Sequence, residues 1–293
     1  MFQFQACHNR YETILIENNI AIANIVKKII GLILLFALTC SIGISTAHIA
    51  YSQIEVEQSN NFERHFQSLG IEGSIIIYDL NGDISYQHNP QRNKTAFLPA
   101  STYKIPNSLI ALETGVINSD VDVLTWDGIE RDLPQWNRDL NLRLAFKYSA
   151  VWFYQILARR IGHQKMQHYV SKIEYGNRDI GAAADIDNFW LSGELRITPQ
   201  QQIDFLRRLY QNDLPFTQKN INLVKDIAIA EQTSDYTLRV KTGLTDEVGW
   251  YIGYLEQNNN VYFFATNIDA VNLEDYTVRS QVTKLCLQDL SLL

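Results

Sequence analysis

The chain has 293 residues, of which 46% are apolar, so it is long enough to bury the core of one large domain or two ordinary ones. This apolar content argues against a disordered chain. The net charge is −7 and the Lys and Arg residues form no basic block, which argues against a surface for nucleic acid. The six His and three Cys residues occur at no spacing that would build a zinc site, so no metal is expected.

The first 47 residues have the organisation of an export signal. Two lysines precede the apolar run IIGLILLFALT, and the small-residue stretch SIGISTA follows it. This order predicts a signal peptide cleaved after Ala47 and a periplasmic protein; an uncleaved anchor and a lipoprotein modified at Cys40 are the alternatives. The run is shorter than the ~20 residues that span a bilayer, which favours cleavage. Because residues 1–25 are long for a leader, we expect translation to start near Val26.

Cysteine usage predicts no disulfide in the mature chain. Cys7 and Cys40 fall in the leader, which leaves Cys286 as a single thiol. Cys286 lies in the apolar helical stretch VTKLCLQDL, so we expect a buried structural thiol and not a reactive one.

A helix and a hairpin open the mature chain. NNFERHFQSLG has apolar residues at helical spacing and stops at Gly70, which predicts a short helix. GSIIIYDL and DISYQH are rich in strand-forming residues and are separated by Asn81-Gly82. That pair predicts antiparallel strands joined by a two-residue turn with positive φ.

Helical patterns then run from about residue 105 to 212. SAVWFYQILARRIG and HQKMQHYVSKI are both typical of helices. ITPQQQIDFLRRLY begins with Thr198 as the N-cap, Pro199 in the first turn and Gln201 at the reciprocal capping position.

Strand patterns return from residue 236. YTLRVKTG, VGWYIGYLE and VYFFATNI predict three strands, the last two joined by QNNN, and a closing helix is predicted from about 273 to 290. Strands at both ends with helices between them predict an α/β (α+β-like) fold. Its central antiparallel sheet is flanked by helices and carries an inserted all-helical subdomain.

We therefore expect residues 1–47 to be leader and signal peptide, and residues 48–293 to form a single catalytic domain. The sheet-containing part of that domain is predicted from residues 48–104 plus 213–293, and its helical part from residues 105–212.

The stretch PASTYKIPNSLIALETG, residues 99–115, pairs a hydroxyl with an amine at a helix start. Residues i and i+3 of a helix share a face, so the amine of Lys104 can reach the hydroxyl of Ser101. Free N–H groups at a helix start also favour negative charge developing on an oxygen. Pro106 fits this helix only within its first turn. The pair predicts a nucleophile with an adjacent base. If the S-x-x-K motif were the only one in the chain, a capping serine beside a solvated lysine would explain it better.

Two further motifs change that balance. Ser149, in KYSAVWF, is a second hydroxyl at a helix start, and the K-T-G motif of Lys241, Thr242 and Gly243 ends an alternating strand. S-x-x-K, a middle S-D-N and K-T-G follow in this order in serine β-lactamases and penicillin-binding proteins. The middle element here is S-A-V.

The complete motif set resembles the class D, oxacillinase-type serine β-lactamases. Their order is S-x-x-K, S-x-V, Y-G-N, W-L and K-T-G, which this chain matches with Ser101–Lys104, Ser149–Val151, Tyr175–Asn177, Trp190–Leu191 and Lys241–Gly243. The segments TWDG, WNRD and FWLSGELRI are similar too, so the resemblance covers nearly all of residues 60–290. It implies the fold of the penicillin-recognising serine enzymes and hydrolysis of the β-lactam amide of penicillin-type antibiotics.

The resemblance also implies a chemical modification, because the family's lysine is carboxylated. Lys104 would then be N6-carboxylysine and serve as the general base, and carbon dioxide or bicarbonate would be the one small molecule required besides the substrate. Apolar neighbours lower the pKa of an amine, and Val151, Trp190 and Leu191 are expected to supply them. Trp190 would donate its only N–H to the anion.

The remaining candidate residues contact the substrate. By similarity to the family, the N–H groups of Ser101 and Leu244 meet the oxyanion, and Ser149 relays a proton to the departing nitrogen. The K-T-G motif (Lys241 to Gly243) lines the edge where the substrate carboxylate binds. Arg279, in YTVRSQV, is expected to pair with that carboxylate, and a solvated surface arginine is the alternative.

Two other functions share part of this pattern. A D-alanyl-D-alanine transpeptidase or carboxypeptidase has the same nucleophile, lysine and K-T-G but needs no apolar slot for a carbamate. A β-lactam sensor domain stays acylated, yet it needs several membrane spans, and one apolar run is present here. We expect a small β-lactam as the partner, no nucleic acid, no membrane association after signal cleavage, and a monomer or homodimer.

Overall fold

The computed structural model describes residues 61–270 and 276–293. The predicted leader, its cleavage site after Ala47, and the thiols Cys7 and Cys40 lie outside the described residues. Within the described part, no helix combines the length and apolar character that a membrane crossing requires.

A six-stranded antiparallel sheet brings together the two ends of the described chain. The strands are, in chain order, β1 (Gly73–Asp79), β2 (Ile84–His88), β3 (Val123–Leu124), β4 (Leu140–Asn141), β5 (Ile229–Gln232), β6 (Tyr236–Leu244), β7 (Val248–Gln257) and β8 (Asn260–Asp269). The sheet has the order β2-β1-β8-β7-β6-β5, while β3 and β4 form a separate two-stranded ladder. All neighbouring strands are antiparallel, which confirms the predicted fold class.

Helices cover both faces of the sheet. They are α1 (Glu63–Ser68), α2 (Pro90–Asn93), α3 (Lys104–Glu113), α4 (Leu142–Lys147), α5 (Val151–Ile161), α6 (His163–Lys172), α7 (Pro199–Gln211), α8 (Gln218–Ile227) and α9 (Val278–Asp289). Successive residues of a strand point to opposite faces, so Ile76 joins the core under α3, α5 and α7, whereas Ile75 and Ile77 join the core under α1 and α9. Cys286 is fully buried in the second core, and burial raises the pKa of its thiol.

The first hairpin is present, but its predicted two-residue turn is wrong. Residues 80–83 separate β1 from β2, and the positive φ of 49° belongs to Asp83. The carboxylate of Asp79 accepts hydrogen bonds from the Gly82 N–H at 2.9 Å and from Asn260 at 2.7 Å. These contacts stabilise a longer loop, and one of them comes from a strand far along the chain.

Three other boundaries differ from the sequence patterns. The region from 105 to 212 also contains the short β3–β4 ladder, and the extra helix α8 precedes the return to strands at Ile229. The closing helix begins at Val278, since Tyr276 and Thr277 form a turn, and residues 271–275 lie outside the described part.

The capping box of α7 is confirmed: the Gln201 N–H donates to Thr198 Oγ1 and the Thr198 N–H donates to Gln201 Oε1, both at 3.0 Å.

The Y-G-N motif joins two loops by a close backbone contact. Gly176 has a φ of +56°, and a Cβ there would lie 2.0 Å from the carbonyl oxygen of Arg196. Asn177 adds hydrogen bonds from its N–H to that carbonyl oxygen at 2.8 Å and from its amide nitrogen to Glu194 O at 2.8 Å. These contacts fix the segment between Trp190 and α7 against the end of α6.

We expect Gly176→Ala to lower the free energy of unfolding by about 3 kcal/mol, because the added methyl group meets backbone and cannot be accommodated by a side-chain movement. Gly115→Ala is the matched control: Gly115 has a φ of +71°, but nothing lies within 4 Å of an added Cβ. That variant should lose about 1 kcal/mol from backbone strain alone. Urea unfolding of both variants measures the difference, and equal losses would show that the Gly176–Arg196 contact does not matter.

Candidate active site

The serine and the lysine of the S-x-x-K motif are in contact. Ser101 lies in the 3-10 turn Ala100–Tyr103, which leads directly into α3, and Lys104 is the first residue of that helix. Lys104 Nζ lies 2.5 Å from Ser101 Oγ. Pro106 falls in the first turn of α3, where its missing N–H leaves no intrahelical hydrogen bond unmade.

The residue before Ser101 has an unusual backbone conformation. Ala100 is fully buried and has a φ of +50°, a region that costs a non-glycine residue on the order of 1 kcal/mol. Its N–H donates to the carbonyl oxygen of Trp190 at 3.0 Å. The backbone of Trp190 therefore helps to hold the turn that carries Ser101.

The amine of Lys104 is removed from water. Lys104 is 0% exposed, and its Nζ lies 5.4 Å from the centre of the Tyr154 ring. Burial first, and the nearby charge of Lys241 second, hold the pKa of Lys104 well below its ordinary value. An uncharged amine can accept a proton from a hydroxyl and can react as a nucleophile, whereas an ammonium group can do neither.

Trp190 carries an unused donor in an aromatic cluster beside the 3-10 turn Ala100–Tyr103, called the nucleophile turn after the predicted role of Ser101. Its side chain is fully buried, and its ring stacks on Tyr103 with centroids 5.5 Å apart. Within the described residues, the indole N–H has no hydrogen-bond partner. A buried donor without a partner is costly, so this N–H suits an acceptor that the protein itself does not supply.

Ser149 and Lys241 form a second hydroxyl–amine pair. Ser149 has a φ of +55° just before α5, and Lys241 Nζ donates to Ser149 Oγ at 3.0 Å. Lys241 is 4% exposed and its Nζ lies 5.5 Å from the ring centre of Phe146. Burial, followed by the charge of Arg279, lowers the pKa of Lys241 to about 7. This amine is therefore poised to give up or take a proton near neutral pH.

The end of β6 presents an open backbone edge. The Val240 N–H donates to Ala228 O at 2.9 Å, and the pairing of β5 with β6 stops at Ile229 and Arg239. Because alternate residues of an antiparallel strand direct their polar groups to the same side, the N–H groups of Thr242 and Leu244 face this open edge as well. Two backbone donors thus remain available for a ligand.

Gly243 brings that edge against the nucleophile turn. A Cβ at Gly243 would lie 3.0 Å from Pro99 O and 3.1 Å from the Thr102 methyl group, so a side chain would push the two segments apart. Arg279, in the first turn of α9, donates from Nη1 to Gly243 O at 3.0 Å. The guanidinium group of Arg279 is therefore brought to the K-T-G motif.

Two tyrosines join the predicted apolar neighbours Val151 and Leu191 as aromatic surroundings of the site. Val151 and Leu191 are half-buried, with Val151 at the start of α5 and Leu191 against the main core. Tyr154 lies beside the amine of Lys104, and Tyr103 stacks on Trp190. Both tyrosines stand at helical spacings that are equally typical of ordinary core residues, so the sequence alone does not distinguish them.

A buried network of polar side chains holds the nucleophile turn in place. Gln202, on α7, donates to Thr102 Oγ1 at 2.9 Å, and Thr102 Oγ1 donates to Pro99 O at 2.6 Å. The Tyr175 hydroxyl donates to Gln202 Oε1 at 3.4 Å. The Y-G-N motif therefore contributes to the site by fixing Thr102, the residue next to Ser101. A glutamine near the start of an amphipathic helix gives no sequence indication of this role.

Comparisons with known proteins agree on one family. Residues 48–288 match the family model described as the penicillin binding protein transpeptidase domain. The chain is 40% identical over 238 residues to β-lactamase OXA-48 of Klebsiella pneumoniae, which covers 80% of this chain and 89% of that protein. It is 36% identical over 248 residues to β-lactamase OXA-20 of Pseudomonas aeruginosa, which covers 84% of this chain and 92% of that protein.

Solved structures give the same result. The class D β-lactamase YbXI from Nostoc is 55% identical, with a TM-score of 0.78, and the match covers 80% of this chain and 100% of that chain. A class D β-lactamase from Sebaldella termitidis is 41% identical, with a TM-score of 0.76 and coverage of 80% and 98%. The sheet, the inserted helices and the paired serine and lysine define a penicillin-recognising serine enzyme. Within that class, the chain belongs to the class D β-lactamases, so the predicted family is confirmed.

Proposed function

We propose that this protein hydrolyses the lactam amide of penicillin-type antibiotics through an acyl-enzyme on Ser101, with carboxylated Lys104 as the general base. The observation that carries the proposal is the buried amine of Lys104, 2.5 Å from the hydroxyl of Ser101 and of depressed pKa. The two relatives OXA-48 and OXA-20 are both named β-lactamases, which supports the substrate class.

Carboxylation of Lys104 requires only carbon dioxide. The uncharged amine adds to carbon dioxide with loss of a proton, and the carboxylated side chain supplies an anionic oxygen as the base. The buried, unpartnered N–H of Trp190 supports this assignment, because an anion beside it would satisfy a donor that the protein leaves unpaired.

In the acylation step, Ser101 gives its proton to the base at position 104 while its oxygen attacks the lactam carbonyl carbon. The N–H groups of Ser101 and Leu244 stabilise the negative charge that develops on the carbonyl oxygen. As the carbon–nitrogen bond breaks, Ser149 donates a proton to the ring nitrogen. Lys241, 3.0 Å from Ser149, then returns a proton to Ser149.

The substrate carboxylate is assigned to the cationic end of the K-T-G edge. Lys241, the hydroxyl of Thr242 and the guanidinium group of Arg279 converge there, since Arg279 bonds to Gly243 O. Deacylation reuses the first base after the proton taken from Ser101 has passed to Lys241, which restores both groups. A water molecule then gives a proton to the group at position 104 and attacks the ester carbonyl, and that proton is returned to Ser101 as it leaves.

We also propose that the protein is exported and that its signal peptide is removed before residue 48. The match to the family model begins at residue 48, directly after the predicted cleavage site at Ala47, which supports a leader separate from the enzyme.

Sustained turnover is the test that separates this function from its alternatives. With a chromogenic cephalosporin in excess and bicarbonate present, we expect many substrate molecules to be opened per protein molecule. A transpeptidase or a sensor domain would be acylated and then stop, so release of one product per protein would contradict the hydrolase assignment. Mass spectrometry of the protein, which detects the acyl group on Ser101, distinguishes arrest from a failure to react.

Trp190→Phe tests the role of the indole N–H, because it keeps an aromatic ring and removes the donor. We expect deacylation to slow by about 10- to 100-fold, since the base loses a hydrogen bond to its charged form, and added bicarbonate should restore part of the rate. Trp126→Phe is the control: its indole N–H donates to Ile129 O on an exposed loop. Equal deacylation rates in the two variants, or no response of Trp190→Phe to bicarbonate, would contradict the assignment.

A further inference from the structure

A cavity that the reaction does not use adjoins the K-T-G edge. It has a volume of about 670 Å³ and lies where β5 diverges from β6, between that strand edge and helix α4. Its lining includes Lys241 and Thr242, so it continues from the position assigned to the substrate carboxylate. Small-molecule sites usually measure roughly 300–1,000 Å³, so the space suits a substituent as large as an aromatic ring.

The cavity has a mixed polar and apolar lining, and an ion-pair cluster forms part of it. Phe146, Ile229 and Tyr251 contribute apolar surface. Arg143, which also lines the cavity, pairs with Asp226 at 2.6 Å and with Asp120 at 2.7 Å. Two carboxylates more than balance the charge of Arg143, so this cluster does not attract an anionic ligand.

Lys147 supplies a cation without an ion-pair partner. It is exposed at the end of α4 and lines the cavity, and its Nζ lies 5.8 Å from the ring centre of Tyr148. Among the residues that the structure describes, no carboxylate forms an ion pair with it. Lys147 is therefore able to attract an anion that enters the cavity beside Lys241.

The chemistry of bicyclic lactams indicates which part of the substrate reaches this space. In a cephalosporin, the ring carbon that bears the carboxylate is bonded to the ring carbon that bears the 3-substituent. With the carboxylate held by Lys241 and Thr242, the 3-substituent starts one bond away and is directed to the adjoining region. A penicillin has only methyl groups at the corresponding side and leaves the cavity to solvent.

We propose that this cavity is a substrate subsite that receives the ring substituent next to the lactam carboxylate and prefers one that ends in an anionic group, with Lys147 as its specificity-determining residue. The proposal rests on the proposed function, since it assumes that the carboxylate of a lactam binds at Lys241 and Thr242. It adds a substrate preference that follows from this chain's own residues.

A matched pair of cephalosporins tests the preference for charge. The two compounds share one side chain and a tetrazolylthiomethyl 3-substituent, and the tetrazole carries a sulfomethyl group in one and a methyl group in the other. The readout is the ratio of their second-order rate constants for acylation of Ser101, followed by mass spectrometry. We expect Lys147→Gln to lower this ratio by about 2- to 5-fold, which is the effect of one exposed charge.

Lys165→Gln is the control for net charge, since Lys165 is exposed on α6 and does not line the cavity. It should leave the ratio unchanged. An unchanged ratio in Lys147→Gln, or an equal fall in Lys165→Gln, would overturn the assigned role of Lys147.

A steric variant tests the cavity itself. Ala230 is exposed on β5 and lines the cavity, so Ala230→Trp should fill it. We expect acylation by both cephalosporins to slow by about tenfold relative to acylation by a penicillin. Gln232→Trp, at an exposed position on the same strand but outside the cavity, should not change that relation.

The same measurements distinguish a failure of the proposed subsite from a failure of the proposed function. If penicillin acylates the wild-type protein and is turned over, but Ala230→Trp leaves the cephalosporin-to-penicillin ratio unchanged, the subsite is wrong and the proposed function stands. If no lactam acylates Ser101, the proposed function and the subsite are both overturned.

Discussion

The desolvated amine of Lys104 is the constraint around which the rest of the site is organised. A charged ammonium group at the fully buried position of Lys104 would cost several kcal/mol, and the nearby charge of Lys241 would add to that cost. The folded protein therefore favours the neutral amine. That neutral group lies at hydrogen-bond distance from Ser101, and under the proposed function it is the group that allows this hydroxyl to act as the nucleophile.

Keeping that amine dry requires contributions from distant parts of the chain. The segment before Ser101 is held by an antiparallel bridge between Phe97 and Ile197 and by the indole N–H of Trp250, which donates to Leu98 O at 2.8 Å. The strained Ala100 is fixed by Trp190 O, and Thr102 is fixed by Gln202. The sheet and the inserted helices thus meet at the nucleophile turn, and neither part alone would hold Lys104 away from water.

The sequence predicts the parts of this arrangement that depend on local periodicity and on short motifs. The runs of strand-forming residues in β1 and β7, the capping box at Thr198 and the pairing of Ser101 with Lys104 are all properties of neighbouring residues. The length of the loop at Asn81 could not be predicted in this way, because Asn260, a residue far along the chain, helps to stabilise the loop through Asp79. The contacts of Tyr103 and Tyr154 with the site, and the cavity beside Lys147, depend on how separate elements pack. No spacing in the sequence indicates them.

The most direct test of the central claim is to observe carbon dioxide bound at position 104. Carbon-13 NMR of the enzyme in labelled bicarbonate should give one carbamate resonance, which disappears on acidification and is absent from Lys104→Ala. Absence of that resonance from the folded wild-type enzyme, or its persistence in Lys104→Ala, would contradict the claim that the buried amine of Lys104 is the uncharged group from which the catalytic base is made.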